Sequence, residues 1–141
     1  MRRYLLDTNI LSNATKPQPS GQLVAWLSEQ TDESLFIASL TLAEIKRGIL
    51  ERPAGKKRRE LERWFASGAP SLFTDRVLPF DQRAGLIWAR LMAEGTARGR
   101  PRSALDMIIA SVAEANDCTL VTDNTRHFVG LKILNPMQAE S

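Results

Sequence analysis

Apolar positions along the chain fall into two rhythms. Short unbroken runs occur in "RYLLD" (3–7), "SLFIAS" (34–39), "RVLPF" (76–80), "TLVT" (119–122) and near Lys132–Leu134, and each reads as a buried strand. Between them the spacing changes to three and four. Leu23, Trp26 and Leu27 predict a helix over 20–30, and Leu42, Ile45 and Ile49 predict one from Thr41. Leu61, Trp64 and Phe65 mark a helix over 56–65; Ala84, Ile87, Trp88 and Leu91 mark a long one, and Leu105, Ile108, Ile109 and Val112 mark the last. Turn formers punctuate the pattern. "SNATKPQPSG" (12–21), with Pro17 and Pro19, reads as a turn that stops any early helix; Pro53 and Gly55 break the chain again, and "GTARGRPR" (95–102) reads as a basic loop. Strands alternating with helices predict an α/β fold, with a mostly parallel sheet of four or five strands covered on both faces.

Length and composition narrow this reading. The 141 residues suit one domain, 1–141, without repeats or linkers, and 43% hydrophobic with 25% charged residues is the balance of a chain that builds a core. Cys118 is the single cysteine of the sequence, so an internal disulfide, a cysteine zinc site and a redox pair are excluded, and burial as a small apolar residue is expected. The first apolar run is too short for a signal peptide, and none elsewhere reaches membrane-spanning length. A cytoplasmic location with no membrane partner is the expectation. The net charge of +3 is compatible with a polyanionic partner without demanding one.

Chemistry enters at the strand ends. Open parallel sheets bind ligands beyond the carboxyl ends of their strands, at a switch in strand order. Asp7 ends the first run there; Glu44 lies in the helix after the second, Asp106 in the helix before "TLVT", and Asp123 directly after it. Gathered at one edge, these carboxylates would repel and raise one another's pKa, and a hard divalent ion would relieve that. Each acid also has a structural reading. Thr41–Glu44 and Ser103–Asp106 both match the hydroxyl-x-x-acid capping pattern, Asp7 could start a turn, and Asp123 could be a solvated loop acid. Four independent structural roles do not require one shared sheet edge, whereas a common ion does.

Four segments, "LLDTNILS", "SLTLAEIKRG", "LDMIIASVA" and "LVTDNTRHF", together resemble the PIN-domain family, specifically the VapC/FitB-like toxins of bacterial toxin–antitoxin pairs. They occur in family order and span nearly the whole chain. The resemblance implies a three-layer α/β/α fold and a Mg²⁺-dependent endoribonuclease, with Mn²⁺ as a substitute ion. Asp7, Glu44 and Asp106 match the family's metal-holding acids, Thr8 and Asn9 complete the first motif, and Thr122 matches the polar residue after the fourth strand. Many members carry an acid two residues after that threonine, where this chain has Asn124; Asp123 stands one residue earlier, so either could line the site. The resemblance also implies an RNA substrate, a cognate antitoxin and a homodimer.

The expected chemistry is phosphodiester hydrolysis. Asp7 and Asp106 hold the metal, Glu44 orients or deprotonates the attacking water, Asp123 or Asn124 positions that water or a second ion, and Thr8, Asn9, Thr122 and Asn124 position substrate. Lys56, Lys57, Arg58 and Arg59, with Arg98, Arg100 and Arg102, could meet RNA phosphates, although Glu60 and Glu62 interleave with the first group and a solvated face is an equal reading. Trp26, Trp64 and Trp88 read as core, with a partner groove open to Leu61, Trp64 and Phe65. His127 has no assigned role. A catalytically inactive RNA- or partner-binding module is the alternative, but it needs a broken acidic set. A phosphotransfer protein using Asp7 as nucleophile is weaker still, because Asn9 stands where a second acid is wanted.

Overall fold

The computed structural model describes residues 2–68 and 72–138 of the chain. Of the single-domain reading over 1–141, residues 1, 69–71 and 139–141 therefore lie outside the described residues. In chain order the elements are β1 (Tyr4–Leu6), α1 (Thr8–Ala14), α2 (Gly21–Ser28), β2 (Leu35–Ala38), α3 (Ser39–Leu50), α4 (Lys56–Ser67), β3 (Val77–Leu78), α5 (Gln82–Ala97), α6 (Ala104–Ala115), β4 (Thr119–Val121) and β5 (Ile133–Leu134). Short 3₁₀ turns at Asp32–Ser34 and Thr125–Phe128 precede β2 and follow β4.

The five strands form one sheet in the order β3-β2-β1-β4-β5. Every pairing is parallel, so the expected mostly parallel sheet is wholly parallel among the described residues. Tyr4 pairs with Leu35 on one side and Thr119 on the other, which places β1 at the centre. The chain builds outward from β1 through β2 to β3, then crosses to β4 and β5. The switch in strand order thus falls beside β1.

Side chains alternate across the sheet and so build two cores. Leu5, Ala38 and Leu120 face one way, with Leu91 of α5, Met107, Ile109 and Val112 of α6, and Phe128. Tyr4, Leu6, Leu35, Ile37 and Val121 face the other way and meet Ile10 and Leu11 of α1 and Leu23 of α2. These two helical layers around the sheet make the α/β/α sandwich. Cys118 is buried as expected, and burial pushes its thiol pKa up.

Three readings need correction. The segment after Asp7 is helical: α1 occupies 8–14, with Ile10 and Leu11 in the core. Pro17 and Pro19 come after its end and terminate it rather than forbid it. Helix α3 begins at Ser39, with no loop after β2, and its N-cap position is Ala38. Thr41 is therefore an interior residue, buried with its hydroxyl unpartnered among the described residues, and does not cap. The basic loop starts late, because α5 runs on to Ala97. The tryptophans sit at the margins of the core, each half-buried. Trp26 packs edge-on against Tyr4, with ring centroids 5.0 Å apart, and the Trp88 indole donates to the Ala104 carbonyl at 3.0 Å.

Candidate active site

Asp7 follows the last residue of the central strand and is the N-cap of α1. Its backbone N–H still belongs to the sheet, donating to the Val121 carbonyl at 2.9 Å. Its side chain accepts from the Thr8 N–H at 2.8 Å. A helix-capping role, in place of the turn start expected from sequence, and the predicted placement at the sheet edge are thus combined in one residue, fixed by the strand before it and the helix after it.

The second Asp7 oxygen is held by side chains. The Thr122 hydroxyl donates to Oδ2 at 2.9 Å and the Asn9 carboxamide donates to the same oxygen at 3.2 Å. Asn9 also donates to Thr122 Oγ1 at 3.2 Å, and its own Oδ1 accepts the Asp123 N–H at 3.2 Å. Asn124 donates its N–H to Thr122 Oγ1 at 3.0 Å. Two strand ends, those of β1 and β4, are thereby tied together around one carboxylate.

Asp7 is 7% exposed. Burial is the main force raising its pKa; the Thr8 N–H and the Thr122 hydroxyl pull it down, and the charges of Asp106 and Glu44 push it up again. The two other acids are therefore close enough to be felt. Glu44, half-buried on α3, accepts the Thr8 hydroxyl at 2.8 Å. Asp106 lies in the first turn of α6, where the Ser103 hydroxyl accepts its N–H at 3.3 Å, so the predicted cap exists here.

Asp123 and Asn124 divide differently from the expectation that either could line the site. Asp123 is exposed and enters the network through its backbone N–H. Asn124 is half-buried, and its carboxamide nitrogen lies 2.7 Å from His127 Nδ1. That same Nδ1 lies 2.8 Å from Asp106 Oδ2. His127 thus joins the site, although nothing in the linear sequence assigned it there. The 3₁₀ turn at 125–128 explains its contact with Asn124, but the contact with Asp106 spans 21 residues of sequence and needs the fold.

As a donor set, Asp7, Glu44 and Asp106 offer hard oxygen atoms, the kind that suits Mg²⁺ or Mn²⁺ rather than a thiophilic ion. Among the described residues, no three carboxylate, imidazole or thiol groups already converge on one point. Asp7 is engaged by Thr8, Asn9 and Thr122, and Asp106 by His127. The acids fit such an ion by chemistry and by mutual repulsion, in side-chain positions set by protein donors.

A groove of about 440 Å³ runs from this site between α1, α3 and α4, lined by Thr8, Glu44, Ile45, Lys57, Leu61 and Trp64 among others. Leu61 and Trp64, two of the three residues read from sequence as open to a partner groove, line it. Phe65 lies apart under the Lys46 ammonium, 5.3 Å from its ring centroid.

Comparison with known proteins agrees with this architecture. The PIN domain family model matches residues 4–132. Plasmid stability protein StbB of Pseudomonas syringae pv. tomato is 34% identical, covering 96% of this chain and 99% of its own. VapC ribonuclease Y4jK of Sinorhizobium fredii is 34% identical, covering 95% and 97%. Toxin FitB of Neisseria gonorrhoeae is 32% identical, covering 94% and 96%. The crystal structure of FitAcB from the same organism matches with a TM-score of 0.90 and 31% identity, over 96% of this chain and 99% of that one.

Proposed function

The chain belongs to the PIN domain family, and from that premise we propose that it is a Mg²⁺-dependent endoribonuclease, the toxin of a type II toxin–antitoxin pair. The observation that carries the reading is the buried Asp7 carboxylate at the end of the central strand, its pKa raised by burial and by Asp106 and Glu44. Relatives named as a ribonuclease and a toxin, matched over nearly the full chain, support the same activity and role. The inactive-module alternative requires a disrupted acidic set, and these three acids are intact.

Asp7 and Asp106 would hold the metal ion, which would supply charge neutralisation at a non-bridging phosphate oxygen and acidify water. Asn9 and Thr122 keep Asp7 aimed by hydrogen bonds to its Oδ2. Glu44, steadied by the Thr8 hydroxyl, takes the proton of the attacking water. Asn124 and Asp123 border the position from which substrate approaches. The partner protein would be an antitoxin covering the groove beside Thr8 and Glu44, and a second copy of the chain completes the proposed assembly. Among the described residues no helix is long and apolar enough to cross a membrane.

The test is cleavage of a mixed pool of structured RNAs by the wild type and Asp7→Asn, with Mg²⁺, Mn²⁺ or EDTA. Cleavage by the wild type, lost with EDTA and lost in Asp7→Asn, is the expected result. Cleavage that persists in EDTA would overturn the metal-dependent reading. RNA binding without cleavage under every condition would favour the inactive module.

A further inference from the structure

The two basic segments of the chain have different surroundings. On α4, Lys56 lies 4.0 Å from Glu60 and Arg58 lies 2.8 Å from Glu62, so its charge is partly spent within its own helix. The segment after α5, with Arg98, Arg100, Arg102 and Ser103, and the 3₁₀ turn after β4, with Arg126 and His127, together line a cavity of about 410 Å³. Arg102 is committed to the fold, donating to the Leu91 carbonyl at 2.7 Å and lying 3.6 Å from Glu94. Among the described residues Arg98, Arg100 and Arg126 have no carboxylate partner within ion-pair distance.

The wall carrying these arginines is built rather than loose. The Arg100 N–H donates to the Gly95 carbonyl at 2.9 Å, and a Cβ on Gly95 would lie 2.9 Å from both the Arg100 carbonyl oxygen and the Arg102 side chain. Gly99 takes φ +70, a left-handed conformation that glycine adopts without strain. The wall is also coupled to the acids. Ser103 accepts the Asp106 N–H at 3.3 Å, and His127 Nδ1 lies 2.8 Å from Asp106 Oδ2. An anion seated among the arginines would thus lie against Ser103, the N-cap of α6, and His127, the two residues that contact Asp106.

We propose that this cavity is a phosphate subsite: it holds an RNA backbone phosphate adjacent to the one attacked at Asp7, Glu44 and Asp106, and so sets which bond reaches the acids. The inference rests on the ribonuclease reading. Guanidinium groups suit a phosphate because they donate in a planar fork and stay charged at every working pH. Phosphate contacts fix register and carry no base information. The subsite therefore positions any strand that enters.

The test measures binding of a random-sequence 2′-O-methyl RNA decamer, which resists cleavage, to the purified full chain in EDTA over a range of salt. Arg100→Ala/Arg126→Ala is compared with Lys56→Ala/Arg59→Ala, which removes the same charge from α4. The cavity variant is expected to bind about tenfold more weakly, with the slope of log K against log salt flattened by about 0.7 per arginine removed. The α4 variant should stay within about twofold of wild type, and matching thermal melts would show both variants folded. Unchanged affinity and slope in the cavity variant would overturn the subsite while leaving the nuclease reading standing. Equal weakening of both variants would also overturn it, as general charge attraction. Failure of the wild type to bind the decamer would also overturn the subsite, while the nuclease reading stands or falls on the cleavage assay with Mg²⁺.

Discussion

Thr41–Glu44 and Ser103–Asp106 carry the same pattern, a hydroxyl followed three residues later by an acid, and the fold uses them differently. Ser103 stands at the N-cap of α6 in an extended conformation and accepts the Asp106 N–H. Thr41 lies inside α3, fully buried, with its hydroxyl unpartnered among the described residues. The cause is the junction before each helix. A loop leads into α6, leaving room for a capping residue, whereas β2 passes straight into α3 and the helix begins two residues before Thr41. Both acids nonetheless lie near enough to Asp7 for their charges to act on it. Both press on Asp7, Asp106 more strongly than Glu44. The same local motif therefore marks two acids whose charges reach Asp7, while its capping explanation holds at only one of them.

The largest expected effect breaks the comparison in favour of likeness. Asp106→Asn and Glu44→Gln should each lower single-turnover RNA cleavage by about 10²–10⁴-fold, the usual worth of a positioned proton-transfer or charge-stabilising group. If Glu44→Gln cleaves like wild type, Glu44 stands outside the chemistry and only Asp106 belongs to it.

Stability should then separate the two hydroxyls. Ser103→Ala removes a real cap and should cost about 1 kcal/mol in urea unfolding. A cost near zero would leave the Ser103 contact without energetic weight.

A third difference concerns pH. Because burial foremost, then Asp106 and Glu44, raise the Asp7 pKa, the folded chain holds that proton more tightly than the unfolded chain does. In EDTA this contribution to stability is present below the ordinary carboxylate range and is lost as pH rises through Asp7's raised titration. Asp106→Asn should shift the Asp7 carboxyl titration, followed by carbon NMR, downward more than Glu44→Gln does. The reverse order would contradict the arrangement of the three acids.

The smallest effect is expected at Thr41. Thr41→Val replaces an unpartnered buried hydroxyl with a methyl of similar shape, so urea unfolding should show a change between zero and about 1 kcal/mol of stabilisation. Clear destabilisation would reveal a partner for that hydroxyl, and the contrast with Ser103 would narrow.

Much of this was legible in the chain because it depends on short-range rules. Short unbroken apolar runs around Leu5, Leu35–Ala38 and Leu120 mark strands, the three-four spacing of Ile108, Ile109 and Val112 marks α6, and a carboxylate directly after an apolar run marks Asp7. Helix α1 was missed because turn formers surround it, while the burial of Ile10 and Leu11 that stabilises it appears only after the sheet exists. Trp26 and Trp88 pack against the core from its margin, as an apolar helical face shows direction but not distance from the centre.

The sequence by itself determined the alternation of strands and helices, the strand-end position of Asp7 and the family to which these motifs are similar, because each depends on residues close together in the chain. Only the tertiary structure decided that Thr122 and Asn9 would hold Asp7, that Asn124 rather than the Asp123 side chain would enter the network, and that His127 would meet Asp106. The Thr122–Asp7 and His127–Asp106 contacts join residues far apart in sequence. Their partners are chosen by strand order and by the crossover beside β1, which no local pattern encodes.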